Sequence, residues 1–427
     1  MASPVLTSVS EKRNLQYLAR FTQVRSFTES ICRPLTPEDH VVQPMADVSP
    51  PKWHMAHTTW FFETFLLNAY DPNYQLFHPD YSYLFNSYYE SVGKRVLRAH
   101  RGNMTRPPVE DILRYRTHVN AAMQALLDRE EAWPERFYYI LEVGLQHEQQ
   151  HQELLFTDLK YILGNNPLFP AYREDVADLP AATPRPSGYL TVDEGVYPIG
   201  FAGEGFCFDN ELGRHQVYLH ACRLQDRLVT NGEYLEFIEA GGYQNFRYWL
   251  AEGWDWVKTH QATAPLYWHQ IEGEWHYYTL GGLKKVDLHS PVTHVNYYEA
   301  DAYARFRGKR LPTEFEWEVA CQQQGKLPDA ANLGDREIWH PAPAAEGQPQ
   351  LYGDVWEWTS SAYLPYPYYQ HEDGALGEYN GKFMISQMVL RGGSCITPRD
   401  HIRPTYRNFF HPDKQWQFTG IRLAETV

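Results

Sequence analysis

The chain has 427 residues, more than one ordinary core of about 100 to 200 residues organises, so two domains are expected. Its 38 basic against 53 acidic residues leave a formal charge of −15, the wrong sign for holding nucleic-acid phosphates or an anionic lipid surface by charge. A composition of 43% hydrophobic and 21% charged residues excludes the disordered class; with no run of eighteen apolar residues and no signal-peptide core near residue 1, a soluble cytoplasmic protein without a membrane or nucleic-acid partner is expected.

In chain order, the first 165 residues read as helices, most economically an up-and-down bundle. Helical stretches are expected near 8 to 30 and 109 to 130. Residues 49 to 70 offer Ser49 as an N-cap, place Pro50 and Pro51 in the first turn, where a missing N–H is harmless, and stop at Asp71-Pro72. Residues 136 to 163 carry apolar side chains at helical spacing and end in Gly164-Asn165-Asn166-Pro167, a strong stop. The stretch 171 to 187 has the Pro, Ala and charge content of a linker. Beyond it Gly, Pro, Trp and Tyr punctuate short segments, with helix near 231 to 240 and 298 to 307 and a strand near 387 to 391. The fold class is therefore α+β, with domains at 1–170 and 188–427 joined by the linker.

Two histidines stand out. In the 136 to 163 helix Ile140, Gly144, His147, His151 and Leu154 follow one stripe, so both imidazoles face the interior, close enough at i and i+4 to share one ion. Trp53, His57, Trp60, Thr64 and Leu67 form a second stripe on the 49 to 70 helix and offer a third imidazole. His57 ranks first for that role, with His54 a turn away as its competitor. Three imidazoles without a carboxylate leave a divalent ion its full charge and open positions, suited to an anionic substrate and oxygen. Residues 147 to 151 also spell HEQQH, in which Glu148 would be the base of a zinc hydrolase. The five cysteines (Cys32, Cys207, Cys222, Cys321 and Cys395) are scattered and show no CxxC, which argues against a disulfide framework or a cysteine zinc site.

Longer motifs extend this reading. WHMAHTTWFFETF, LQHEQQHQE, FNSYYESVGKR and RAHRGNMTRP resemble the DinB-like iron-binding half of the ergothioneine-pathway sulfoxide synthases. FDNELGRHQV, VTNGEYLEFIEAGGY, RLPTEFEWEVA, GDVWEWTSS, VLRGGSC and RPTYRNFFHP resemble the C-type-lectin-like domain of formylglycine-generating enzymes. The resemblance implies a DinB-like helical bundle followed by that lectin-like fold, and a non-haem Fe(II) enzyme with O2 as co-substrate. Such an enzyme joins the sulfur of a cysteine-type thiol to the imidazole of hercynine and oxidises it to a sulfoxide.

Carried over by position, the resemblance implies His57, His147 and His151 as iron ligands, and Gln150 and Asn408 as contacts of hercynine. Phe409 offers an aromatic face to the trimethylammonium. Phe410 stands where relatives using γ-glutamylcysteine carry an acidic residue, so cysteine is the expected thiol. γ-Glutamylcysteine, a 5-histidylcysteine sulfoxide product and a selenium analogue remain as alternatives. Arg98 and Arg101 would hold the carboxylate of cysteine in a forked, charge-assisted geometry. Tyr88 and Tyr89, on an irregular segment, are expected to point in different directions, one packing while the other presents a phenol to iron, with Tyr379 the weaker candidate. Neither oligomeric state nor the order of bond formation is legible.

Overall fold

Whether the helical half can bring its histidines together depends on how closely two helices approach. In the computed structural model, which describes residues 4–130, 132–176, 179 and 185–427 and the side chains of all of these except 4–10, contacts divide the chain into units Met1–Asn166 and Pro167–Val427. The first unit contains α1 (Pro4–Cys32), α2 (Pro51–Phe62), α3 (Asn68–Tyr70), α4 (Tyr81–Phe85), α5 (Val109–Leu127) and α6 (Glu135–Gly164). Helix α2 packs against both α5 and α6, and α1 packs against the same two. Every residue of α2 is buried, so this helix is the centre of the unit rather than an amphipathic wall.

Two details of α2 depart from the sequence reading. Its N-cap is Pro50, not Ser49. Ser49 is engaged elsewhere: its N–H donates to Asp158 at 2.8 Å and its hydroxyl accepts from Arg101 at 2.9 Å. The helical run does reach Tyr70, but through a π-helical segment at Glu63–Leu67, whose Glu63 accepts from the phenols of Tyr74 and Tyr115. Opposite α2, Gly144 is required by space. A Cβ there would lie 2.8 Å from ring carbons of both Phe61 and Phe62, closer than packed carbons tolerate, so glycine lets α2 and α6 meet one turn before His147.

The second unit is mixed, as its punctuated sequence predicts. In order it holds β1 (Tyr189–Val192), β2 (Gly195–Ile199), β3 (His215–Leu219), β4 (Cys222–Gln225), α7 (Asn231–Glu239), α8 (Ala251–His260), β5 (Trp268–Ile271), β6 (Glu274–Thr279), β7 (Gly282–Lys285), α9 (Tyr297–Phe306), α10 (Glu314–Gln324), β8 (Trp356–Ala362), β9 (Met388–Arg391), β10 (Asn408–Phe410), β11 (Thr419–Gly420) and β12 (Ala424–Thr426). These strands form sheets ordered β1-β4-β12, β10-β9-β8-β11, β2-β3 and β5-β6-β7. Helices α8 and α10 are additions to the sequence reading. The signal for α10 lay in RLPTEFEWE, where Thr313 and Glu316 close a capping box.

The same motifs supply the buried charges of this unit. Glu314 pairs with Arg391 and Arg407, Glu318 with Arg391, and Glu357 with Arg422. Removed from water, each acid needs its arginine, so RLPTEFEWE and GDVWEWTSS specify architecture. Residues before β1 also join this unit: the Tyr172 N–H donates to the Leu280 carbonyl, and the Tyr278 phenol to that of Pro170. Residues 177, 178 and 180–184 of the expected linker lie outside the described residues. Among the described residues, no helix is long and apolar enough to cross a membrane, and all five cysteines are free.

Candidate metal centre

The 3.6-residue period places His147 and His151 on one face of α6, and the close approach at Gly144 sets His57 of α2 against them. One ligand atom from each of the three lies within 4.8 Å of the others, and the Nε2 atoms of His57 and His147 are 3.1 Å apart. The Nδ1 of His57 lies 2.6 Å from the Phe85 carbonyl. A carbonyl only accepts, so Nδ1 carries the hydrogen and Nε2 presents its lone pair to the cluster. The His57 ring is fixed between indoles, stacked on Trp53 at 4.6 Å and on Trp60 at 5.5 Å.

Burial is the main influence on all three rings. It pushes His147 down to about 3 and takes His57 and His151 well below the ordinary imidazole value, helped in both by neighbouring histidines. The centre is therefore a set of neutral imidazole donors, and no carboxylate joins it among the described residues. That donor set fits a divalent transition metal such as iron. His54 is not a member. Its Nδ1 lies 2.9 Å behind His151 Nδ1, and its Nε2 lies 2.9 Å from Asp158. Sequence reading passed over Asp158, although it stands seven residues beyond His151 on the same helical stripe.

The arginines separate. Arg101 is 4% exposed, its guanidinium lying 3.3 Å over the Trp53 ring, on the indole that stacks on His57. It donates to the hydroxyls of Ser49 and Ser87, its Nε has no partner, and no carboxylate pairs with it among the described residues. Burial, followed by the nearby Arg98 charge, makes it a weakened cation. Arg98 is exposed and donates to the Asp47 carbonyl. Gln150 is half-buried beside His151.

Tyr88 and Tyr89 do sit on an irregular segment, but they do not diverge. Their rings stack at 4.7 Å, because Asn86 holds the turn through both the N–H and the carbonyl of Tyr89. Tyr89 is buried against Trp60 and Phe65, while Tyr88 stays partly accessible. Tyr379, in the second unit, is buried and stacked on Phe208. Asn408, Phe409 and Phe410 are half-buried on β10. Tyr363 covers one face of Phe409 at 4.1 Å, and Phe410 packs against Trp416.

Comparison with known proteins agrees with this division. Residues 20–155 match the DinB superfamily and residues 176–427 the sulfatase-modifying factor enzyme 1-like domain. The chain is 33% identical over 411 residues to a hercynine oxygenase of Mycolicibacterium thermoresistibile, covering 89% of this chain and 88% of that one. It is 29% identical over 293 residues to the formylglycine-generating enzyme of Streptomyces coelicolor, covering 57% of this chain and 91% of the other. Against ergothioneine biosynthesis protein 1 of Schizosaccharomyces pombe the identity is 26% over 231 residues, 52% of this chain and 28% of that protein.

The zinc-hydrolase reading of HEQQH fails on Glu148. About 100° around α6 from His147, its carboxylate accepts from Arg25 at 2.9 Å, Arg116 at 2.5 Å and Thr28 at 2.7 Å. Burial alone would raise this carboxyl, but Arg116 and Arg25 outweigh it and hold it at about 2. A depressed folded value contributes stability that is complete above the ordinary 4.5 and lost as pH falls toward about 2. Glu148→Gln removes the buried carboxylate that Arg25 and Arg116 share, Arg116 keeping Glu29, and is expected to cost about 3 to 5 kcal/mol, read from urea midpoints, with a flatter acid limb between those pH values. Parental stability combined with lost chemistry would instead return Glu148 to the role of a base.

Proposed function

Because this chain belongs to the hercynine oxygenase family, we propose that it is an oxygen-dependent non-haem iron sulfoxide synthase that joins the sulfur of cysteine to the imidazole of hercynine. The product is hercynylcysteine sulfoxide, on the route to ergothioneine. The observation that carries this reading is the convergence of three neutral imidazoles with no carboxylate among them. His57, His147 and His151 would hold ferrous iron, which would supply one-electron chemistry with oxygen. The stoichiometry closes without another reductant: one oxygen atom ends on sulfur, and the other leaves as water with the thiol hydrogen and the ring hydrogen.

The chain's own residues bind and orient. Arg101, buried without a carboxylate partner among the described residues, is suited to a substrate carboxylate, which would remove the cost of an uncompensated cation; Arg98 supports it from the exposed side. Asn408 uses its side-chain oxygen to accept from the Phe409 N–H, so its amide hydrogens can donate to the carboxylate of hercynine. Phe409, clustered with Tyr363 and Phe383, is suited to a trimethylammonium; in the first unit, Gln150 beside His151 is a further residue suited to hercynine. Phe410 lies against Trp416 and offers no acceptor for a glutamyl amine, which supports cysteine over γ-glutamylcysteine. The Tyr88 and Tyr89 phenols can hold or donate a proton, which favours bond formation over simple oxidation of the thiol.

Protein purified without oxygen, loaded with Fe(II) and given hercynine, oxygen and either thiol is expected to turn over cysteine faster, with the mass of hercynylcysteine sulfoxide as the product. Faster turnover of γ-glutamylcysteine, or a 5-histidylcysteine sulfoxide formed from histidine, would reassign the substrate. In the same assay Arg101→Leu removes a charge-assisted bond of about 1.5 to 3 kcal/mol. Its KM for cysteine should rise about ten-fold to over a hundred-fold, with that for hercynine little changed; equal effects on both would contradict the role. The double Tyr88→Phe, Tyr89→Phe protein should retain iron and oxygen consumption while its product shifts toward cysteine sulfinate. An unchanged ratio of sulfoxide to sulfinate would move attention to Tyr379.

A further inference from the structure

We propose that Asp158 and His54 are positioning residues that select the tautomer of His151 able to bind metal. This rests on the three-imidazole reading above and extends it to groups that touch neither metal nor substrate. Asp158 stands two turns beyond His151 on α6, and His54 one turn before His57 on α2; both are buried. Each helix therefore supplies one residue to the centre and another behind it.

Hydrogen-bond polarity runs in one direction along this row. Asp158 Oδ2 accepts the backbone N–H of Ser49 at 2.8 Å, and the same oxygen faces His54 Nε2 at 2.9 Å. A carboxylate oxygen accepts, so the hydrogen of His54 sits on Nε2 and its Nδ1 keeps the lone pair. That lone pair faces His151 Nδ1 at 2.9 Å, within hydrogen-bond distance; unlike the Nε2 atoms of His57 and His147, which a metal would join, this pair is joined by a hydrogen. His151 must then place its hydrogen on Nδ1, leaving Nε2 as the nitrogen with a lone pair to serve as ligand. One carboxylate thus orders two rings in series. A carboxylate–imidazole pair behind a ligand is a common way to fix its ring and raise its basicity; here a second imidazole lies between, so the acid directs the centre without lending it a ligand oxygen.

The reverse polarity is equally well defined. Were His54 to donate from Nδ1, His151 would accept there and carry its hydrogen on Nε2, with no lone pair for metal. Asp158→Asn permits that reversal when its amide nitrogen takes the place of Oδ2 and donates to His54 Nε2, at the cost of the hydrogen bond from the Ser49 N–H.

The test uses the full chain with 15N-labelled histidine and no metal. Long-range proton–nitrogen correlations distinguish protonated from bare ring nitrogens, and the His151 signals are those absent from His151→Asn. The parent should show His151 protonated at Nδ1, and folded Asp158→Asn should show it at Nε2. Iron(II) affinity, measured under argon by competition with a chromophoric chelator, should fall about ten- to a hundred-fold in folded Asp158→Asn. A parent His151 protonated at Nε2, or a folded Asp158→Asn with parental iron affinity, overturns the proposal. If Asp158→Asn does not fold, the parent spectrum decides alone. A parent that takes up no iron while His151 is protonated at Nδ1 would defeat the metal reading and leave the tautomer assignment standing.

Discussion

The candidate metal centre depends on one constraint: three imidazoles must be held close together, largely out of water, without being protonated. Charged rings at the separations seen here would repel one another, and burial works in the required direction by disfavouring every imidazolium. Dryness in turn needs close contact between α2 and α6, which Gly144 permits by leaving room for Phe61 and Phe62. On another side of α6, Glu148 ties that helix to Arg25 of α1 and Arg116 of α5, so a buried ion network braces the scaffold whose other face carries the uncharged imidazoles.

Charge is distributed with the same economy around the centre. Negative charge acts on it from outside the ligand set, from Asp158 through His54 and from Glu148 beside His147, whereas a fixed cation, Arg101, lies across Trp53 with hydroxyl groups as its hydrogen-bond partners. A site with an unneutralised arginine and a metal lacking carboxylate ligands is electrostatically incomplete, and an anionic substrate completes it. The reaction proposed above, which would bring the carboxylate and thiol of cysteine to this centre, has the charge that such a site lacks.

Much of this was legible because helical periodicity is a strong signal. The spacing of His147 and His151, the stripe through His57 and the stop at Gly164 all follow from 3.6 residues per turn, and the change to short, punctuated elements after residue 170 foretold a mixed second half. What escaped the sequence depended on partners from other elements. The engagement of Ser49 with Asp158 and Arg101 removed it from the cap, and the Asn86 turn stacked Tyr88 on Tyr89. Glu148 was the exception, since its displacement around the helix from His147 was available to inspection. The motifs easiest to recognise in the second unit, RLPTEFEWE and GDVWEWTSS, contain buried acids paired with Arg391, Arg407 and Arg422, whereas Asn408 and Phe409, proposed for hercynine, sit on the short strand β10, where periodicity says little.

The most direct measurement of the central claim is metal stoichiometry. Protein isolated without oxygen and equilibrated with ferrous iron should hold one equivalent per chain, and His57→Ala, His147→Ala and His151→Ala should each lose it while retaining the helical circular-dichroism signal of the parent. Full iron retention by any of the three folded variants would contradict a centre built from these imidazoles.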